Sequence, residues 1–168
     1  MLSILWGYMN EWIEQYKKYH KEHTEYGNGD GLKFYLQHII DLVNDTKAET
    51  LLDYGCGKAE GYLKYNHHKN WGNVMPSLYD PAIPEYETLP EGQFDGVISF
   101  DVLEHIPKEQ IPETFQIIFS KAKKFVFLGI ATDSYEPIDV DAVVLFFVTM
   151  NSALLRERLS LHPSQGGE

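Results

Sequence analysis

The sequence predicts an α/β fold, a doubly wound, mostly parallel sheet with helices on both faces, in a single domain of 168 residues. Three observations predict it. Apolar runs that read as buried strands at 48–54, 77–79, 94–100 and 124–130 alternate with helical segments, and that alternation argues for a parallel sheet covered by helices. The first run passes directly into a turn, Gly55-Cys56-Gly57, that opens a helix. Asp53, Asp80 and Asp101 fall at the ends of three of these strands, and such sheets bind ligands beyond the carboxyl ends of their strands.

The elements follow in order. From Leu2 to His23, Leu2, Leu5, Met9, Trp12, Ile13, Tyr16 and Tyr19 recur at three- and four-residue spacing, which predicts an amphipathic helix. Tyr26-Gly27-Asn28-Gly29-Asp30-Gly31 breaks it, and Asp30 is placed to cap a second helix carrying Leu32, Tyr35, Leu36, Ile39, Ile40 and Val43. Residues 1–47 therefore form N-terminal helices. A strand at 48–54, a helix at 59–66 and a short strand at 77–79 stopped by Pro81 come next. Residues 82–93 leave room for at most a small strand around 86–89. A buried strand at 94–100, a helix at about 108–122 with Ile111, Phe115, Ile118 and Phe119 inward, and a strand at 124–130 complete a core spanning 48–131.

The glycine turn carries the ligand argument. Glycine lets the backbone turn tightly and approach a bound group, and the helix behind it is expected to offer free N–H groups. Asp53 beside it suits a cationic amine, or else caps the turn. Cys56, with no basic neighbour but Lys58, reads as a small filler rather than a reactive thiol. His20, His23 and His38 lack companions at ligand spacing and read as helix histidines, so no metal site is expected.

Composition narrows the function. The formal net charge is −11, with 14 Lys and Arg against 25 Asp and Glu, which disfavours nucleic acid and anionic membranes as partners. A single cysteine excludes an internal disulfide and fits a reducing compartment. The apolar N-terminus lacks a basic leader, and the longest apolar run, 142–150, is too short to span a bilayer. A soluble, cytoplasmic protein without membrane insertion is expected.

Leu51-Leu52-Asp53-Tyr54-Gly55-Cys56-Gly57, Tyr79-Asp80 and the segment from Phe94 to Pro107 together resemble the class I S-adenosylmethionine-dependent methyltransferases over about 26–131. The resemblance implies a Rossmann-like fold with S-adenosylmethionine as cofactor. It implies a methionine cradle at Asp53, Gly55, Cys56 and Gly57, and ribose hydroxyls on Asp80. Further contacts fall on Pro81, Phe100, Asp101 and Val102. An upstream aromatic often closes over the cofactor in such enzymes, and Tyr26 is either that residue or a core aromatic. His105 and Asp101 are the candidates for a general base; the position of His105 just before Pro107 at a helix start favours simple capping over that role.

The chain departs from the family's pattern in three places. The next glycine after Gly57 is Gly61, four residues on, which also departs from the dinucleotide fingerprint. Between Asp80 and Phe94 there is no room for the usual helix, strand and acidic turn, so adenine is expected on Pro81, Ala82 and Ile83. After Ile130 the segment 132–168 is atypical and reduced: an apolar run at 143–148, a short helix near 154–159 and a tail. A bare sheet edge there would allow a homodimer. The expected function is methyl transfer to a small-molecule acceptor of unresolved class. The other reading is a non-catalytic or truncated relative that binds the cofactor or a protein partner.

Overall fold

The structure is a computed structural model and describes residues 2–29, 31–131 and 143–149. Its elements are α1 (Leu2–Glu22), α2 (Leu32–Thr46), β1 (Leu51–Tyr54), α3 (Glu60–Leu63), β2 (Ser77–Tyr79), β3 (Phe94–Phe100), α4 (Ile111–Lys121), β4 (Ala122–Ala131) and β5 (Val143–Thr149). They form one five-stranded sheet in the order β2-β1-β3-β4-β5. The first four strands are parallel, and β5 runs antiparallel along β4, with Phe127 opposite Phe147.

This is a doubly wound, Rossmann-like sheet, and the strand sequences explain the two covered faces. Successive strand residues point to opposite sides. Leu51, Ile98, Phe125 and Phe127 bury one face under α2, through Leu32, Tyr35, Ile39 and Val43. Leu52, Tyr54, Val97, Val126 and Leu128 bury the other under α4, through Ile118. Central parallel strands are apolar on both faces because helices cover both.

Several local expectations are corrected. The helix after the glycine turn is a single turn, Glu60–Leu63, because Asn66 adopts a left-handed conformation (φ 57°) and a 3-10 turn, His67–Trp71, follows. Trp71 anchors that turn by donating its indole N–H to the Val74 carbonyl at 2.8 Å. No strand forms around 86–89. There Asp80 N–H donates to the Tyr86 carbonyl (3.0 Å) and Tyr86 N–H to the Ile83 carbonyl (2.9 Å), folding the chain back on itself. Helix α4 starts at Ile111 rather than 108, after a 3-10 turn, Leu103–His105, and with a proline in its opening turn where no amide donor is missed. The edge beside β4 is not bare, because β5 occupies it. Asp30, the helix expected near 154–159 and the tail lie outside the described residues; Gly31 stands at the N-cap of α2 without a side-chain bond.

Candidate functional site

Strand order reverses between β1 and β3: the chain leaves β1 for β2 on one side and returns to β3 on the other. A crevice opens at such a switch point beyond the carboxyl ends of the strands. Here it holds a cavity of about 440 Å³, within the range of about 300–1,000 Å³ usual for small-molecule sites. Tyr54 and Gly55 at the end of β1, Tyr79 and Asp80 at the end of β2, and Phe100 and Asp101 at the end of β3 meet there. One end of α1 and the start of α4 close over them, with Tyr16 and His20 from the first and Thr114 and Ile117 from the second.

The glycine turn is held by the protein itself. Gly55 (φ 89°) and Gly57 (φ 54°) both need left-handed backbone. A Cβ on Gly55 would stand 2.2 Å from Val102 Cγ2, and one on Gly57 would stand 2.2 Å from the Gly27 carbonyl oxygen. Tyr79's carbonyl accepts from the N–H groups of Gly55 (2.7 Å) and Cys56 (3.1 Å). The expectation of free N–H groups behind the turn is therefore corrected. Lys58 N–H donates to the Gly27 carbonyl (2.7 Å) and Glu60 N–H to the Asn28 carbonyl (2.9 Å), so a loop far upstream has taken those donors. Cys56 is buried at the cavity wall, and its burial pushes the thiol pKa up, which keeps it protonated and unreactive.

Asp53 does not reach the cavity. It shares the sheet face of Leu51, and its carboxylate accepts the Tyr62 hydroxyl at 2.6 Å while its other oxygen has no partner. It is 1% exposed. Desolvation raises its pKa to about 7, opposed by the Tyr62 bond and reinforced by the charge of Asp80. The strand alternation that turns Tyr54 toward α4 turns Asp53 inward beneath α3. Its place is the layer under the site, neither a ligand contact nor a turn cap.

Asp80 does reach the cavity, and it also ties the site together. Its Oδ2 accepts Gly57 N–H at 3.0 Å and its Oδ1 accepts Ala82 N–H at 2.9 Å, which joins the glycine turn to the end of β2. Desolvation pushes its pKa up, and the two backbone donors and His20 pull it down. Pro81 lines the cavity, whereas Ala82 and Ile83 are buried behind it and outside its lining.

Asp101 follows β3 in a left-handed conformation (φ 54°), uncommon for a residue with a Cβ. Its neighbours hold it there. Its N–H donates to the Gly129 carbonyl (3.0 Å), its Oδ1 accepts the Tyr35 hydroxyl (3.1 Å), and its Oδ2 fills the space a Cβ on Gly31 would need. Phe100, packed against Tyr35 with ring centroids 5.5 Å apart, and Val102 complete this wall.

Tyr26 and His105 meet across the mouth. Tyr26 is half-buried, shares a hydrogen bond of 2.8 Å with Tyr16, and lies 3.4 Å from His105 Nε2. Burial raises the pKa of both tyrosines, which keeps the hydroxyls protonated.

Three features escaped the sequence reading. The loop Gly27 to Gly31 looked like a helix breaker; it is the bonded partner of the glycine turn and the seat of Asp101. Its clustered glycines were the available signal. Asn28 lines the cavity with an unpartnered Oδ1. His20 reads in the sequence as a helix histidine, yet it is 7% exposed, lines the cavity between Tyr16 and Tyr26, and has neither ring nitrogen bonded. Desolvation lowers its pKa, and the nearby Asp80 carboxylate opposes that shift. No group of three or more metal-ligating side chains converges among the described residues. Among those residues, no helix is long and apolar enough to cross a membrane.

No family model matches the chain, and no curated protein matches it. Seven chains of solved structures do. One is the crystal structure of magnesium protoporphyrin IX methyltransferase from Synechocystis PCC 6803 with bound SAM, 20% identical with a TM-score of 0.45. The match covers 66% of this chain and 64% of that one.

Proposed function

We propose that this chain binds S-adenosylmethionine in the switch-point cavity and transfers its methyl group to a small-molecule acceptor. One observation carries the reading: Asp80 after β2 and Asp101 after β3 present carboxylates to one cavity whose floor is Gly55 to Gly57. The residues fit the cofactor. Each Asp80 oxygen accepts one backbone N–H and retains lone-pair capacity, which suits the paired hydroxyls of a ribose. Pro81 and Phe100 offer flat apolar contact to a purine. Gly55, Cys56, Gly57 and Val102 supply van der Waals contact for the methionine chain, and Asp101 accepts from its amine. Tyr26 closes the mouth above it. A cofactor with net positive charge also suits a wall that holds Glu25, Asp80, Asp101 and Glu113 and neither Lys nor Arg.

When bound, the cofactor supplies a methyl group already activated by its sulfonium, for in-line displacement. The protein's task is then mainly to hold the acceptor in line and keep water out. An acceptor that must lose a proton gives it to His105, and Tyr26 and Tyr16 orient that ring through their linked hydroxyls. Calorimetry with S-adenosylhomocysteine and NADH tests the reading: binding of the first and not the second is expected. NADH binding without a response to S-adenosylhomocysteine would replace it with a dinucleotide enzyme. Unchanged turnover in His105→Ala would remove His105 from the base role.

A further inference from the structure

Charge and hydrogen-bonding capacity on the cavity wall restrict the second ligand. Four carboxylates line the cavity, from Glu25, Asp80, Asp101 and Glu113, and none of its lining residues is Lys or Arg. The neighbouring cation, Lys58, gives its ammonium to the Thr24 carbonyl. A carboxylate or phosphate entering this space would meet like charge, with no Lys or Arg on the wall to pair with. An ammonium would meet attraction from every carboxylate.

An independent observation points the same way. His20 is nine-tenths buried on the same wall, and both of its ring nitrogens are without a partner. A buried polar group left unbonded is destabilising, so a ligand that bonds it recovers that loss. Neutral imidazole offers one acceptor nitrogen and one donor. Tyr16 and Tyr26 flank it edge-on, with centroids 4.9 and 5.1 Å from the imidazole. Trp12 stacks on Tyr16 at 5.3 Å and also lines the cavity. Aromatic faces beside carboxylates attract organic cations.

We infer that the methyl acceptor is an amine on a flat apolar frame, seated among Trp12, Tyr16, Tyr26 and His20, and that anionic acceptors are rejected. The inference rests on the methyl-transfer reading above. The incoming ammonium gives one proton to His105, and its freed lone pair forms the new N–C bond as the donor's S–C bond breaks. The donor leaves as a neutral thioether, and the product carries the positive charge.

The test uses 2-phenylethylamine, 2-phenylethanol and phenylacetate, which keep the ring and change the charge, with the full chain and ligand-observed NMR. The amine is expected to bind about tenfold or more tighter than the carboxylate, with the alcohol between, and the gap should shrink as salt rises from about 50 to about 500 mM. Equal or tighter binding of phenylacetate overturns the inference. The series is repeated with saturating S-adenosylhomocysteine. Retention of the amine order supports a separate acceptor seat, whereas displacement of the amine places it in the cofactor's own site and overturns the acceptor assignment. If S-adenosylhomocysteine itself fails to bind, the methyl-transfer reading falls with it, and the assignment of the amine as methyl acceptor falls too. Glu113→Gln, on the exposed side of α4, should cut the amine's advantage about threefold with an unchanged melting temperature; an undiminished advantage in that variant counts against the carboxylate wall.

Discussion

Replacing Asp53 by Asn isolates the charge beneath the glycine turn. The amide keeps an oxygen to accept the Tyr62 hydroxyl, so the 2.6 Å bond survives while the ionisable group is removed. Burial holds the folded pKa of Asp53 at about 7 against an ordinary value of 3.8. With a raised folded pKa, the folded protein keeps a proton that the unfolded chain gives up. This contribution is therefore fully present below pH 3.8 and is lost as pH rises to about 7. Above that, ionised Asp53 carries the whole penalty. One pKa unit corresponds to about 1.4 kcal/mol, so between pH 5 and pH 8 the wild-type protein should lose about 2–3 kcal/mol through this residue. Urea denaturation of both proteins at the two pH values measures it, as the difference between their pH-induced losses. Asp53→Asn should also leave S-adenosylhomocysteine affinity within about twofold of wild type, because the side chain does not line the cavity. An identical pH response in the two proteins, or a large fall in affinity, would refute the buried placement.

Asp80→Asn leaves one oxygen where two served the Gly57 and Ala82 amides. It should cost about 1–3 kcal/mol in urea denaturation and weaken S-adenosylhomocysteine by about tenfold or more in calorimetry. Gly55→Ala forces a Cβ into left-handed backbone and against Val102 Cγ2. It should destabilise by about 2–4 kcal/mol. In a double-mutant cycle with Val102→Ala, the clash is relieved but the backbone cost remains. Tyr26→Phe removes the hydroxyl shared with Tyr16 and His105, so its effect should fall on the pH dependence of kcat more than on cofactor affinity.

Much of this fold was legible in the chain. Val97 to Phe100 and Phe125 to Leu128 read as buried parallel strands because apolar residues stand on both faces, and a sheet covered on both sides requires that. Asp80 and Asp101 were placed at strand ends by Pro81 and by the break after Phe100. The same alternation held a warning about Asp53, which shares the parity of buried Leu51, but parity alone does not say which face carries the opening. The shortness of α3 was not legible either, since nothing in Lys64 or Tyr65 opposes a helix.

The sequence by itself determined the alternating strands and helices, the glycine turn and the two acids that reach the cavity. Each is written in short-range terms: side-chain period, backbone permissiveness, and the stop signal of a proline. The tertiary structure alone decided what the turn touches. Gly27 and Asn28 accept the amides behind it, Gly31 makes room for Asp101, and α1 brings Tyr16 and buried His20 over the cavity. These contacts join residues about 30 to 70 positions apart, chosen by how α1, α2 and the sheet pack together, and no local pattern encodes such a meeting.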